Sequence, residues 1–411
     1  MKKTWGVTSL ALALAAFAAW AVFQILHFDG RHALTWRVPL DLYIYAAAGT
    51  DVASGGQLYD AAYVGKLPFT YPPFAGTIFM ALSYLSENWL VILWQAGTTL
   101  ALFTVFLLVF RERGYGYRAS NWLLSLLLTA AALALAPFHG TLFFGQINIF
   151  LMLLVALDFL PKRRLPGIGI GLAAGLKLTP AFLGLVLLFQ RRWWAAGISV
   201  VTFALTVGIG FITIPDAQDF WERAIFDSSR VGDHTNPGAQ SIRSILEREF
   251  NIEGGLWWIL AIVVVFALTC IAVSLACKRH NGTIAMALTG ISSCLISPFS
   301  WYHHWVWVLP LLLALMLTVN QWLGQRLPGI LGAQVAGLVS FVVMIIFALP
   351  FVAKQAWEGT AYQHLDDFGT LGALAFTGTG IIFIAGYALT GLLRTRPSEK
   401  RSPNRLTSLF D

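Results

Sequence analysis

Charge is scarce in this 411-residue sequence. Asp, Glu, Lys and Arg make up 11% of it, against 57% hydrophobic residues, where soluble domains carry about 25% charged residues. That shortage excludes a single soluble core and suits a bundle of helices that each use about 20 residues to cross a bilayer. Cysteine is scarce as well. Cys270, Cys277 and Cys294 fall in or beside apolar runs and offer neither a metal spacing nor a disulfide framework, so they read as packing residues. The chain also lacks a repeat of the secondary-transporter kind, and no acid stands at mid-membrane depth, where coupling-ion sites lie.

Acids are fewer than bases, and the net charge is +7. The bases are dispersed, which argues against a nucleic-acid patch. They fall in short loops between apolar runs: Lys2 and Lys3; Arg111, Arg113 and Arg118; Lys162 to Arg164; Arg191 and Arg192; Lys278 and Arg279; Arg326; and a tail from Arg394 to Arg405. By the positive-inside rule these loops are cytoplasmic. The alternate loops, 27–71, 138–145, 215–255, 298–303 and 351–368, hold most of the acids and are outer.

Apolar runs predict full spans at 5–26, 88–110, 119–137, 146–160, 195–214, 256–276, 283–297, 303–319, 329–350 and 369–392. The first reads as an uncleaved helix rather than a signal peptide, being long and followed by further spans. Residues 72–86 are short for a crossing, and a full crossing would put Arg111 to Arg118 outside. A re-entrant or juxtamembrane segment fits better. Residues 167–189 lie between two basic loops and are broken by Lys177-Leu178-Thr179-Pro180. A pair of short helices meeting near Lys177 satisfies both facts. The organisation expected is one transmembrane domain over 1–392 and a basic cytoplasmic tail over 393–411.

The polar chemistry gathers outside. In the first outer loop Asp41 and Tyr45 are four residues apart and so share a face of a short helix over 40–48. Asp41 is either a carboxylate poised as a general base or a residue that favours the helix start. Trp301, His303 and His304, in Ser297-Pro298-Phe299-Ser300-Trp301-Tyr302-His303-His304-Trp305, suit phosphate or sugar binding. They equally suit an interfacial aromatic belt, and adjacent histidines on different faces make a joint metal site a poor fit. Lys177 inside an apolar stretch is a candidate ligand for an anion or a lysine snorkelling to the interface. Gln146 and Asn148, and Gln240, Ser241 and Arg243, offer amides, a hydroxyl and a cation that fit sugar hydroxyls as well as caps and loops.

Taken together and in order, these segments resemble glycosyltransferase family 87, the polyprenyl-phosphate-mannose-dependent mannosyltransferases of actinobacteria, which have the membrane-embedded GT-C fold. The resemblance rests on Asp41-x-Tyr43-x-Tyr45, Tyr71-Pro72-Pro73, Gly145-Gln146-x-Asn148, Lys177-Leu178-Thr179-Pro180, Gln240-Ser241 and Ser297-Pro298-x-Ser300-Trp301-x-His303-His304. One departure is Ala239, where the family often has Asn before Gln-Ser.

The resemblance implies an all-α polytopic membrane protein of the plasma membrane: a GT-C-type helical bundle with outer-face juxtamembrane helices and a broken-helix pair. Its active site would face outward, built near 27–71, 138–148, 215–255 and 297–305. It implies an inverting enzyme with a lipid-linked sugar donor, polyprenyl phosphate mannose, and a glycolipid acceptor, a phosphatidylinositol mannoside, lipomannan or lipoarabinomannan, joined by an α-1,2 linkage. Asp41 would be the base. Tyr43, Tyr45, Tyr71, Gln146, Asn148, Lys177, Gln240, Ser241, Arg243, Trp301, His303 and His304 would contact substrate, with Lys177 and the histidines steadying the departing phosphate. No metal, no cofactor and no nucleic acid are expected; membrane lipids are. The competing readings are a flippase or transporter for the lipid-linked sugar, which would survive loss of Asp41, and a GT-C transferase for another sugar or a protein acceptor. Oligomeric state is not legible in the sequence.

Overall fold

The computed structural model describes residues 34–115, 118–161, 164–326 and 367–392, with single positions between 331 and 347. The spans expected at 5–26 and, for the most part, 329–350 lie outside the described residues, as does the tail. Helix α1 (Leu40–Ala53) leads to a small antiparallel hairpin, β1 (Ala62–Val64) and β2 (Leu67–Pro68), with Val64 opposite Leu67. Then come α2 (Pro73–Phe79) with a 3-10 turn at Met80–Tyr84, α3 (Glu87–Glu112), α4 (Ala119–Ala132), α5 (Ala136–Phe144) and α6 (Asn148–Phe159). After these follow α7 (Ile168–Leu176), a 3-10 turn at Thr179–Leu183, α8 (Gly184–Phe189), α9 (Trp193–Thr213) and α10 (Ala217–Glu222). The last are α11 (Ile242–Phe250), α12 (Gly255–Lys278), α13 (Gly282–Ile296), a 3-10 helix at Tyr302–Trp307, α14 (Val308–Arg326) and α15 (Asp367–Leu392).

The protein is all-α and polytopic. Among the described residues five helical stretches are long and apolar enough to cross a membrane, at Glu87–Glu112, Trp193–Thr213, Gly255–Lys278, Tyr302–Val319 and Leu374–Gly391. Helix α9 leaves Val200, Val201, Leu205 and Ile212 uncovered, an apolar face for acyl chains, which carry no penalty against leucine. Helix α13 is the opposite case: every residue from Gly282 to Leu295 is buried, as expected of a helix that is apolar all round and sits in the middle of a bundle. Its N-terminus is satisfied by Glu112 from the end of α3, which accepts from Gly282 N (2.6 Å) and Thr283 Oγ1 (2.9 Å).

The break expected near Lys177 is present. Lys177 is extended (φ −156°, ψ 130°) between α7 and the Thr179–Leu183 turn that Pro180 opens. The segment at 72–86 is the short α2 and its turn, with Pro73 in the first helical position, where a missing N–H costs nothing. One expectation is corrected. Residues 138–145 are not a loop: all but the last belong to α5, which meets α6 at 119°. The run from Phe138 to Phe144 is free of proline, so it continues as helix until Gly145 takes the left-handed conformation (φ 73°).

Two segments between helices are joined by a carboxylate. Asp216, just after α9, accepts from Leu58 N (3.0 and 2.9 Å) and Tyr59 N (2.7 Å), groups buried away from other partners. Replacing Asp216 with alanine should cost about 1–3 kcal/mol and lower the thermal midpoint in detergent by a few degrees, while asparagine, which keeps one acceptor oxygen, should cost less. An alanine variant that melts with the wild type would show that this tie contributes nothing.

Candidate active site

A cavity of about 350 Å³ opens where α1, the 69–72 segment, the α5–α6 corner, the Lys177 break, the 220–236 segment and the 297–304 segment converge. Its floor is built by one glycine. A Cβ on Gly145 would sit 2.6 Å from Leu42 Cβ and 2.9 Å from Pro39 Cβ. Only glycine therefore lets the α5–α6 corner lie against the first turn of α1, and it also supplies the positive φ. That approach brings the next residue, Gln146, to Asp41: Gln146 Nε2 donates to Asp41 Oδ2 at 2.5 Å.

The polar groups then form a directed chain. Tyr71 donates to Gln146 Oε1 (3.0 Å), so its single proton is committed and the 2.7 Å contact with Tyr45 runs from the Tyr45 hydroxyl. Asn148 Nδ2 donates to the His303 carbonyl (3.1 Å) and, at 3.4 Å, to Gln146 Oε1. Asn148 Oδ1 accepts from Lys177 Nζ (3.0 Å). Lys177 also meets His304 Nε2 at 3.2 Å and the Tyr71 hydroxyl at 3.5 Å. His304 Nδ1 in turn accepts from Trp301 N (3.2 Å).

Asp41 does not cap α1, whose N-cap is Pro39, but it stands in the first turn, where its charge also suits the helix start. Burial pushes its carboxyl up to about 6, against the opposing effects of the Gln146 hydrogen bond and of the Lys177 charge. A carboxylate of that kind, open to a cavity, can take a proton near neutral pH. His303 is 4% exposed and is held between Phe144 and Trp301. Both of its ring nitrogens are buried without a hydrogen-bond partner, and the residue lines the cavity.

The structure brings together Asp41, Tyr45, Tyr71, Gln146, Lys177, Trp301, His303 and His304 in the cavity wall. Asn148 stands just behind it, on a small adjoining void. Four further expected contacts do not line the cavity. Tyr43 is 48% exposed on the far side of α1. Gln240 is spent on Pro237 and Ser300, while Ser241 caps α11 by accepting from Ser244 N. Their strand-like pairing with the histidine segment (Gln240 N to Ser300 O, Tyr302 N to Gly238 O) makes them its scaffold. Arg243 points at Ser228 and stacks over Trp258. The sequence reasoning passed over Ser228, Arg230 and Asn236, which do line the cavity. The signal for Arg230 was its sign: a base in an acid-rich outer loop.

A model of glycosyltransferase family 87 matches residues 69–298. A polyprenol-phosphate-mannose-dependent alpha-(1-2)-phosphatidylinositol pentamannoside mannosyltransferase of Mycolicibacterium smegmatis is 32% identical over 85% of this chain and 89% of its own length. Its namesake in Mycobacterium tuberculosis is 31% identical over 85% of each chain. A polyprenol-phosphate-mannose-dependent alpha-(1-2)-phosphatidylinositol mannoside mannosyltransferase of Mycobacterium tuberculosis is 29% identical over 89% of this chain and 88% of its own. No solved structure matches the chain.

The hydrogen bond from Gln146 favours the ionised form of Asp41. Gln146→Leu should therefore move half-protonation of Asp41 from about 6 to higher pH. The infrared band of the protonated carboxyl, followed against pH and assigned by its loss in Asp41→Asn, measures this. A midpoint that stays put or falls would mean that the amide does not hold the charge.

Proposed function

The chain belongs to glycosyltransferase family 87, and we propose that it transfers mannose from polyprenyl phosphate mannose to a phosphatidylinositol mannoside, forming an α-1,2 linkage at the outer face of the plasma membrane. The observation that carries this reading is Asp41, a carboxylate with a raised pKa, held by Gln146 and opening into a cavity that also holds an unpartnered histidine and a lysine. The donor and acceptor are those in the names of the relatives. The outer location is supported by connectivity. Helices α3, α4, α6, α9 and α12 each have an end beside a basic loop, at Arg113, Arg118, Arg164, Arg192 and Lys278, and the cavity is built from segments at the other end of the bundle.

The reaction follows from these groups. Asp41 accepts the proton of an acceptor hydroxyl as its oxygen bonds to the anomeric carbon, and the bond from that carbon to the phosphate oxygen breaks. Polyprenyl phosphate departs with the electron pair. Attack opposite the leaving group inverts the anomeric centre, so a β-linked donor gives an α-linked product. His303 donates to the phosphate as its negative charge grows, and Lys177 adds positive potential at the floor of the same cavity. Tyr45, Tyr71 and Asn148 hold Gln146 and Lys177 in place. No cofactor enters this scheme.

Purified protein in nanodiscs, given labelled donor and a phosphatidylinositol mannoside, should add one hexose to the acceptor, read by mass spectrometry. Asp41→Asn should lower kcat by about 10²–10⁴-fold. Because the base must be ionised, turnover should fall as pH drops through about 6 and level off above it. Undiminished turnover in Asp41→Asn would remove the base assignment. Donor movement across the bilayer with no glycoside formed would favour a transporter.

A further inference from the structure

The wall of the cavity contributed by the 220–236 segment carries a second cationic group. Arg230 ends the 3-10 turn Ser228–Arg230 and lines the cavity with Ser228. Its Nη2 makes one long bond, 3.4 Å to the Phe69 carbonyl, and its Nε is buried with no partner. From α11, Arg243 Nη1 donates to Ser228 Oγ (3.3 Å), and its Nε is likewise buried and unpartnered. The other arginines of this outer region behave differently. Arg223 is paired with Asp219 at 2.7 Å, and Arg248 with Glu249 at 3.0 Å.

Among the described residues no carboxylate forms an ion pair with Arg230 or Arg243. The acids nearby are engaged or too far off. Asp227 lines the same cavity and meets the Arg230 charge without forming an ion pair, its carboxylate accepting from Ser229 N and Oγ, and Asp233 accepts from Thr235 N and Oγ1. Glu247 interacts with Arg243 only at longer range. Lys177 makes the contrast sharper, because its ammonium already has Asn148, His304 and Tyr71 around it. A guanidinium half-removed from water with most of its donors unused is costly unless something completes it. The completing group is an anion, and the planar fork of donors fits a phosphate. Beside Arg230 the wall turns apolar, with Leu67, Phe220 and Ile225, so the phosphate that fits here carries a hydrocarbon substituent.

We propose that Arg230, backed by Arg243 through Ser228, binds the phosphodiester of a lipid-linked sugar. The identity of that sugar rests on the mannosyl-transfer reading; the phosphate subsite does not. Both the donor and the acceptor carry such a phosphodiester, and kinetics separates them. In nanodiscs, KM for donor and for acceptor is measured with wild type, Arg230→Gln and Arg230→Lys, beside direct binding of polyprenyl phosphate without sugar. Arg230→Gln should raise one KM by about tenfold or more, change kcat less, and be partly rescued in Arg230→Lys. A rise in donor KM with weaker polyprenyl phosphate binding identifies the donor phosphate. A rise confined to the acceptor KM identifies the acceptor phosphate. Both KM values and polyprenyl phosphate binding within about twofold of wild type, in an Arg230→Gln variant with an unchanged thermal midpoint, would overturn the proposal. A wild type that binds polyprenyl phosphate through Arg230 but transfers no mannose would keep the subsite and discard the mannosyl reading.

Discussion

One side-chain amide organises the floor of the cavity. Gln146 has an oxygen that can only accept and a nitrogen that can only donate. Tyr71 and Asn148 both present protons to the oxygen, so the nitrogen is turned toward Asp41. That single orientation does two things. It gives a carboxylate, half-removed from water, a donor that favours its charged form. It also commits Oδ2, the oxygen that accepts from Gln146, and so fixes how the carboxylate presents itself to the cavity. Lys177 enters the same arrangement through Asn148, so carboxylate and cation are placed by two amides two residues apart.

The acids divide by what they satisfy. Glu112, Asp158 and Asp216 are buried or half-buried, and each accepts from backbone N–H groups: Gly282 and Thr283, Gly167 and Ile170, Leu58 and Tyr59. A chain with broken helices inside lipid must find partners for the N–H groups those breaks leave, and carboxylates are strong acceptors for them. Asp41 stands apart. Its partner is a side-chain amide, and it faces a cavity. Burial alone would not single it out, since Asp158 is more buried. The nature of the donor does.

Much of this arrangement was legible in the sequence. Apolar length fixed α3, α9, α12 and α15 to within a few residues, and the charge parity around 167–189, with Pro180, located the break at Lys177. The four-residue spacing of Asp41 and Tyr45 put both on the face that meets Tyr71 and Gln146. Other features could not be read. Periodicity does not distinguish a short outer loop from the helix at 136–144 when both are apolar, and the Gly145 turn is a tertiary requirement set by Leu42 and Pro39. Polar residue types mark a site without marking direction. Gln240 and Ser241 satisfy backbone groups of the histidine segment, and Tyr43 points away, although their chemistry suits a sugar as well as that of Gln146. Arg230 went unnoticed because it stands outside any compact motif. What makes it conspicuous is that, among the described residues, no carboxylate forms an ion pair with it, a property of packing.

The family match over residues 69–298 takes in Tyr71, Gln146, Asn148, Lys177 and Arg230, but not Asp41 before it or Trp301, His303 and His304 after it. The geometry explains why a site so divided along the chain acts as one. Gln146 reaches back to Asp41, Lys177 reaches forward to His304, and Asn148 joins the two by holding Lys177 and the His303 carbonyl. The 238–240 segment then pairs with 300–302, which ties the outer loop before α12 to the histidines. Each flanking element is also anchored by burial, through Leu42, Tyr45 and Ala48 of α1 and through Tyr302, Trp305 and Val306 beside the histidines. Hydrogen bonds from the central segment then aim the polar side chains, and they are made where water is largely excluded, so that each bond is stronger and its loss more costly.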